Sequence, residues 1–452
     1  MKTRPKILLA PMNFANMPIT LTQALKARGY DAAHIQYGGR QPNALQYELD
    51  RTVDIQGDGS AAARTAAQMQ TLGRVLDEGF DIFHFWNRSL VFRTDYGGFS
   101  GLDLPLIKAR GRKIGYRFTG FDLRLPSRDM AVNPHSAFRY DLQPYYDEAL
   151  VGAYQDFLRE YVDRFFVQDP ELGQFFPEAT VIPRALKLDE WDFVGVRKTD
   201  RPLVVHAPTN AAAKGTRFVL AAVETLKDRG LKFDFQLIQG MAHAEARAVY
   251  AKADIIVDQI LIGATGVLTL EAWALGKPVV VNLRRDLFEP FYETNDLPIV
   301  NANPDNVTEE LAAVIQDYEK RQDLARRGRA LVEQRHDIAN VIDSYITAYD
   351  EMHAAPPVQP TGGRDIAYLT MQLQRTTVAE RFWTLWRARY RGAYRREAKR
   401  RRDMGGPETP GVIQRIAAAI RSALPLARQD IRNIGRKAMA ARGAKRKGAE
   451  GA

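Results

Sequence analysis

The chain has 452 residues, with 64 lysines and arginines, 54 aspartates and glutamates, seven histidines and no cysteine. At about 100–200 residues per domain, this length predicts two or three domains. The absence of cysteine excludes disulfides, cysteine-ligated zinc, iron–sulfur clusters and thiol nucleophiles. No apolar run approaches the roughly 20 residues of a membrane-spanning helix, and the N-terminal apolar stretch is too short for a signal peptide. We therefore expect a soluble protein of the cytoplasm.

The charge is unevenly distributed along the chain. Residues 355–452 contain 22 basic and 7 acidic residues, a net charge of +15. The preceding 354 residues contain 42 basic and 47 acidic residues, a net charge of −5. A mildly acidic globular body thus carries a strongly basic C-terminal extension, which indicates an anionic partner for that extension alone.

The first half of the sequence alternates between apolar runs and helical patterns. Continuous apolar runs, typical of parallel strands covered on both faces, predict strands at residues 6–11, 80–85, 113–118 and 164–167. Apolar residues at helical spacing predict helices at residues 19–28, 63–78 and 148–161. This alternation predicts an open, mostly parallel sheet.

A second α/β series begins near residue 201. Its predicted strands are residues 203–207, 233–238, 254–258 and 278–282, and its predicted helices are residues 216–229 and 243–253. We therefore predict an α/β fold with two Rossmann-like, doubly wound domains facing a central crevice. The predicted boundaries are 1–185 for the first domain, 186–200 for the connection, 201–353 for the second domain and 354–452 for a basic, helical or partly disordered extension. The last helix of the second domain is a candidate to return to the first.

Two loops of the second series could bind an anion at a helix start. In residues 206–216, a loop of small residues places Lys214 just before a helix. In residues 258–280, a glycine-containing loop leads into a helix that carries Glu271 about one turn in. Each loop alone also fits a structural interpretation. The lysine of the first loop could simply be solvated, and the second loop could be a packed turn in which the helix dipole favours a first-turn glutamate.

Together these loops resemble the glycosyltransferase family 4 group of the GT-B fold, which consists of retaining, nucleotide-sugar-dependent enzymes. Residues 254–281 match that family's donor-site signature of a glycine-containing loop, Glu-Ala and Gly-Lys-Pro-Val, and residues 214–216 match its diphosphate turn. The N-terminal half is similar more loosely, through its opening strand and loop and residues 81–84, 119–122 and 181–183. The resemblance covers residues 1–350 and implies an acceptor side in the first domain and a donor side in the second.

The resemblance implies roles for residues of the two donor-side loops. Lys214 would neutralise the donor diphosphate, Glu271 would accept hydrogen bonds from the ribose, and amide groups at the helix start would cap the leaving phosphate. The implied donor-binding residues are Lys214, Glu271, Gly266, Val267, Thr265, Thr209 and Arg217. The family is thought to use no protein nucleophile and needs no metal, so we assign no catalytic residue, no metal and no cofactor besides the nucleotide-sugar co-substrate.

Three positions depart from the family's pattern. Gly263 replaces a glutamate that contacts the donor sugar, Pro208 replaces an arginine, and Thr119 replaces a histidine of the acceptor-side loop. Candidates for restoring the lost positive charge are Arg217, Arg184 and Arg124. These departures leave open a catalytically silent GT-B protein that binds or scaffolds, and a sugar-nucleotide epimerase is a third alternative.

Polar residues that follow strands of the first domain are candidates for binding the acceptor. They are Asn13, Asn16, Asp122 and Arg124. The resemblance implies a glycan or lipid-linked acceptor, in keeping with assembly of a cell-envelope polysaccharide. His84 lies on an apolar strand, where a core or cleft histidine is the commoner interpretation.

The basic region 364–447 has three interpretations. Aromatic residues interleaved with arginine, as in residues 381–387, favour an amphipathic helix on an anionic membrane surface. The alternatives are nucleic-acid binding, the weakest of the three, and a helix packed on the body with a solvated arginine face. We therefore predict a cytoplasmic protein held peripherally at the inner face of the membrane.

Overall fold

A computed structural model describes residues 4–38, 51–54, 61–92, 101–144 and 148–361. The chain divides into two compact units, Met1–Leu373 and Gln374–Ala452. The second unit, and with it the prediction for the basic region, lies outside the described residues.

Two sheets, in which every strand pairing is parallel, form the framework of the first unit. The first has seven strands in the order β3-β2-β1-β4-β5-β6-β7, and the second has five in the order β12-β11-β10-β8-β9. The strands are β1 Ile7–Ala10, β2 Ala32–Gly38, β3 Arg51–Asp54, β4 Ile82–Trp86, β5 Lys113–Arg117, β6 Arg164–Val167, β7 Thr180–Val181, β8 Leu203–His206, β9 Asp234–Leu237, β10 Ile255–Val257, β11 Val279–Val281 and β12 Val300–Asn301.

Helices connect most of these strands. They are α1 Met17–Ala27, α2 Ala61–Asp77, α3 Asp103–Ala109, α4 Pro126–Val132, α5 Glu148–Tyr161, α6 Pro170–Gly173, α7 Ala211–Lys214, α8 Thr216–Asp228, α9 His243–Lys252, α10 Val267–Ala274, α11 Arg285–Tyr292, α12 Val307–Gln316, α13 Tyr318–Arg335 and α14 Ile338–Ala354. Short 3₁₀ helices cover Ala137–Arg139 and Leu188–Glu190. None of the helices in the described ranges is both long and apolar enough to cross a membrane.

The buried residues of the strands and helices agree with the apolar patterns of the sequence. All residues of β1, β4, β10 and β11 are buried, as expected for parallel strands covered on both faces. Helix α5 buries residues at helical spacing, including Leu150, Tyr154, Phe157 and Leu158, in the core beside the first sheet. The predicted α/β class with two parallel, doubly wound sheets is thus confirmed.

The chain crosses between the sheets at two adjacent points. The backbone N–H of Leu186 donates to His336 O at 2.7 Å, and the N–H of Ile338 donates to Leu186 O at 2.8 Å. After this bridge, α14 packs on the first sheet, where Tyr345 and Tyr349 share a core with strands β1, β4 and β6. The polypeptide therefore starts and finishes its described course on the same sheet.

Two polar side chains of the first sheet are buried beneath α14. His84 Nδ1 lies 2.6 Å from the Tyr349 hydroxyl, which makes His84 a core residue. Arg117 is fully buried, with its guanidinium 4.8 Å from the Trp86 ring, and it donates to the Tyr345 hydroxyl and, at 3.1 Å, to Ile182 O. These contacts tie the last helix to the first sheet.

Residues 355–361, here called the C-terminal strap, run on from α14 along the first half of the molecule. The backbone N–H of Val358 donates to Asp163 Oδ1 at 2.9 Å, and that of Thr361 donates to Glu160 Oε2 at 2.7 Å. The Asp163 side chain is only 5% exposed and also accepts from Lys108 Nζ at 2.8 Å. The sequence assigns these residues to the extension, whereas the structure packs them against the first half.

Candidate functional site

A cavity of about 650 Å³ lies between the two sheets, at the carboxyl ends of their strands. The segments after β1, β5 and β6 line it on one side, and those after β8 and β10 line it on the other. Open α/β sheets bind ligands at this edge, and the volume lies within the range of small-molecule sites. The predicted site residues that line it are Asn13, Asn16, Asp122, Arg124, Thr209, Lys214, Val267 and Glu271.

Lys214 is held at the cavity by a buried carboxylate. It ends α7, and Gly215 follows with a φ of 76°, which places Lys214 just before the start of α8. Lys214 Nζ lies 2.6 Å from Asp258 Oδ1 and 2.8 Å from Gln259 Oε1. Burial alone would raise the pKa of Asp258, but Lys214 and hydrogen bonds outweigh it and hold that pKa below its usual value.

Asp258 also holds the glycine-containing loop. Its Oδ2 accepts from the Gly266 N–H at 2.9 Å and from Thr269 Oγ1 at 2.7 Å. In this structure the Gly266 amide therefore donates to a carboxylate, and a role for it in capping a phosphate stays a prediction. Val267 and Leu268, in the first turn of α10, do line the cavity and have N–H groups without helical partners.

Glu271 lies one turn into α10 and meets a histidine that the sequence analysis did not single out. His243 Nε2 lies 2.7 Å from Glu271 Oε1, and both side chains line the cavity. His243 is the first residue of α9, on the loop after β9. Its position at the carboxyl end of a strand is the sequence signal that could have identified it as a site residue. Contact with His243 fixes the carboxylate and leaves its second oxygen for a ligand.

Asp122 organises a turn of the first half instead of presenting a free carboxylate. Its oxygens accept from the backbone N–H groups of Thr119 at 3.0 Å and Gly120 at 2.6 Å, and from Asn87 Nδ2 at 2.8 Å. Burial raises the pKa of Asp122, although these hydrogen bonds act in the opposite direction. We conclude that Asp122 holds the 119–120 turn at the cavity wall.

Two of the three arginines considered as replacement cations line the cavity. Arg184 Nη1 donates to Asp169 Oδ2 and to Thr265 O, both at 3.1 Å, so it links the first half to the loop before α10. Arg124 pairs with Glu171 through Nε at 2.9 Å and Nη2 at 2.5 Å. Arg217 does not line the cavity and pairs with Asp141 at 3.1 Å. Thr265 does not line the cavity either, and its carbonyl accepts the hydrogen bond from Arg184.

The ion pairs give the cavity a positive lining. Lys214, Arg184 and Arg124 face it, whereas their partners Asp258, Asp169 and Glu171 do not. In each pair the cation is the more exposed member, with side-chain exposures of 15% against 0%, 13% against 3% and 6% against 2%. The two carboxylates that do line it, Asp122 and Glu271, are already hydrogen-bonded. The arrangement favours an anionic ligand.

Gly263 stands where the family has a glutamate, and its backbone conformation disfavours any side chain. Gly263 has a φ of 79°, and a Cβ added there would lie 3.0 Å from Arg284 Cγ. Restoring a glutamate would therefore strain the loop. Thr119 lines the cavity, and Pro208 does not. Across the described ranges there is no group of three or more His, Asp or Glu side chains placed to hold a metal ion.

Comparison with known proteins shows which family and which folds this chain is similar to. Residues 201–347 match a family model described as "Glycosyl transferase-like". Sucrose-phosphate synthase from Thermosynechococcus elongatus aligns over 78% of this chain and 100% of its own, with 13% identity and a TM-score of 0.55. The catalytic domain of starch synthase IV from Arabidopsis thaliana aligns over 78% and 100%, with 11% identity and a TM-score of 0.53.

A search of curated proteins found no match. The structural likenesses establish the architecture, and the family match covers residues 201–347, which include Lys214 and Glu271. The chain therefore has the GT-B fold, and its residues 201–347 are similar to glycosyltransferases.

Proposed function

We propose that the protein transfers a sugar from a nucleoside diphosphate donor to a hydroxyl group of a glycan or lipid-linked acceptor, in cell-envelope polysaccharide assembly. The observation that carries this proposal is the placement of Lys214 and Glu271, both within the family match, on one cavity at the carboxyl ends of both sheets. Lys214 and the first turn of α10 would bind the diphosphate, and Glu271 would bind the ribose.

The proposed reaction retains the configuration of the sugar and needs no metal. The bond between the anomeric carbon and the diphosphate breaks, and the electron pair leaves with the phosphate oxygen. The acceptor oxygen bonds to the same face of that carbon, and its proton passes to the departing phosphate. Lys214, with Arg184 nearby on the lining, would stabilise the charge that develops on the diphosphate, and the cavity walls would hold the two substrates together.

Thermal unfolding of the full chain with UDP-, GDP-, ADP- and CDP-sugars tests this proposal. A donor at about 100 times its Kd is expected to add about 2.7 kcal/mol and to raise the melting temperature by several degrees. The shift should appear with one nucleotide and disappear in Lys214→Ala and Glu271→Ala. Each variant is compared with its own melting temperature without ligand, because Lys214 also carries a structural ion pair.

Three results distinguish the proposed function from its rivals. No shift with any nucleotide would contradict the donor site and favour a silent GT-B scaffold. A shift without transfer or hydrolysis of the donor would favour a protein that binds but does not react. Recovery of a donor sugar with altered configuration would identify an epimerase.

We also propose that the basic region 364–447 holds the enzyme at the cytoplasmic face of a membrane. The support is its net positive charge and its interleaved aromatic and arginine residues. The full chain should co-sediment with vesicles containing phosphatidylglycerol and not with phosphatidylcholine alone. Replacing Lys399, Arg400, Arg401 and Arg402 by glutamine should weaken binding at least about tenfold, since each basic residue contributes about 1 kcal/mol at an anionic surface. Binding to duplex DNA or RNA without vesicle binding would contradict this proposal.

A further inference from the structure

Arg124 keeps hydrogen-bonding capacity that its ion pair does not use. Its Nε and Nη2 donate to Glu171, and Nη1 has no hydrogen-bond partner among the described residues. The residue is only 5% exposed, yet it lines the cavity. A buried guanidinium with two free N–H donors beside a cavity is a site for an oxyanion.

Gly120 keeps the space around this guanidinium open. Its φ is 155°, in the region that favours glycine, and the turn is held by Asp122. A Cβ added to Gly120 would lie 2.9 Å from Arg124 Nη1. Any larger residue at this position would press on the unpaired end of Arg124.

Two asparagines from the loop after β1 supply further unpaired atoms to the same cavity. Asn13 Nδ2 donates to Asn16 Oδ1 at 2.8 Å, which leaves Asn13 Oδ1 and Asn16 Nδ2 buried without partners. Asn16 has a φ of 56° at the start of α1, and its side chain does not cap that helix. Both residues line the cavity and are at least 95% buried. Buried polar atoms without partners are costly, so a ligand that pairs them gains affinity.

We propose that Arg124, Asn13 and Asn16 form a second anion subsite, which binds a phosphate group of the acceptor next to a hydroxyl. Arg124 Nη1 offers two N–H donors to phosphate oxygens, and Asn16 Nδ2, which is enclosed in this structure, offers two more to a ligand that reaches it. Asn13 Oδ1 is an acceptor, which suits a hydroxyl and would repel a phosphate oxygen. The ligand class is thus a phosphorylated sugar or polyol, either free or as a lipid headgroup. This inference rests on the proposed function, because it assigns the anion to the acceptor.

The residues of the subsite come from a different part of the fold than Lys214 and α10. Arg124, Asn13 and Asn16 follow strands of the first sheet, whereas Lys214, Val267 and Glu271 belong to the second half. A donor diphosphate held by Lys214 and the start of α10 would leave Arg124 Nη1 without an assigned partner. The inference assigns that donor group to a second anion.

Calorimetric titration of the full chain with inorganic phosphate tests the subsite, with and without a saturating nucleoside diphosphate. Phosphate is expected to bind in both cases. Because Arg124→Met alone would leave Glu171 buried and unpaired, the test variant is the double replacement Arg124→Met and Glu171→Leu, which removes the whole pair. It should weaken phosphate binding about tenfold or more. Arg139→Met, an exposed arginine in the same half, is the matched control and should change nothing.

The outcomes separate this inference from the proposed function. Displacement of phosphate by the nucleoside diphosphate would overturn the second subsite while leaving the donor site intact. A chain that binds no nucleoside diphosphate, yet loses phosphate binding in the double variant, would contradict the proposed function and support the subsite. Unchanged phosphate binding in the double variant would overturn the inference.

Two further ligands identify the source of the phosphate. Glucose 6-phosphate represents a soluble sugar phosphate, and dihexanoyl phosphatidylinositol represents a lipid headgroup. Tighter binding of one of them than of inorganic phosphate, lost in Asn13→Leu, would support the subsite and name its class. If neither binds more tightly than inorganic phosphate, the assignment to an acceptor is overturned.

Discussion

Lys214→Ala is expected to lower the free energy of unfolding by about 3 kcal/mol at pH 7, even without a ligand, because Asp258 would remain charged, fully buried and without its cation. Urea unfolding measures this loss. Lys187→Ala is the matched control, since its pair with Glu190 is only partly buried, with side-chain exposures of 41% and 27%, and should contribute less than about 1 kcal/mol.

The same substitution should have a pH-dependent effect. In the native protein the pKa of Asp258 lies below its usual value, so its stabilising effect is present at neutral pH and is lost as the pH falls through that lowered pKa. In Lys214→Ala the unpaired carboxylate should instead take up a proton more readily. The difference in stability between the two proteins should therefore shrink between pH 7 and about pH 4. A difference that is constant over this range would contradict a charged Asp258.

Gly266→Ala is expected to abolish donor binding and to destabilise the protein by about 1–3 kcal/mol. Its Cβ would lie 2.4 Å from Asp258 Oδ2 and 2.9 Å from Lys214 Nζ. Asp258 is buried and held by Thr269, so it cannot move aside without breaking the network that places Lys214. Titration with the nucleoside diphosphate identified in the thermal screen measures the loss.

The matched control for this glycine is Gly73→Ala. Gly73 lies inside α2 with nothing within 4 Å of an added Cβ. Alanine there should stabilise the protein by about 0.5–1 kcal/mol and leave donor binding unchanged. If the two substitutions change stability and donor binding equally, the close packing around Gly266 is not needed for donor binding.

Elements with a strong local pattern could be predicted from the sequence. Helix α5 and strand β6 have the predicted bounds, because a tyrosine-rich apolar stripe and an unbroken apolar run define them. Strands β7 and β12 have two residues each, which is too short for any periodicity, and they form by pairing with neighbours distant in the chain. Their positions depend on the sheet and could not be predicted.

The candidate site also combines residues that could be predicted from local sequence with contacts that could not. Lys214 and Glu271 could be predicted because each lies in a loop whose local pattern is distinctive. The partners that decide what these side chains can do are 44 and 28 residues away, at Asp258 and His243. Arg184 meets Thr265 across 81 residues of sequence. Such contacts arise from tertiary packing, so neither the occupied Gly266 amide nor the positive lining of the cavity could be predicted.

The C-terminal strap determines where the polypeptide can be shortened. A chain ending at Ala354 would keep all of α14 but would remove Val358 and Thr361, whose N–H groups donate to Asp163 and Glu160. Two carboxylates would then lose donors, one of them beside the buried Lys108. A chain ending at Thr361 would keep both contacts and remove only residues that follow the strap. A truncation that preserves the strap must therefore end no earlier than 361, seven residues beyond the end of the last helix.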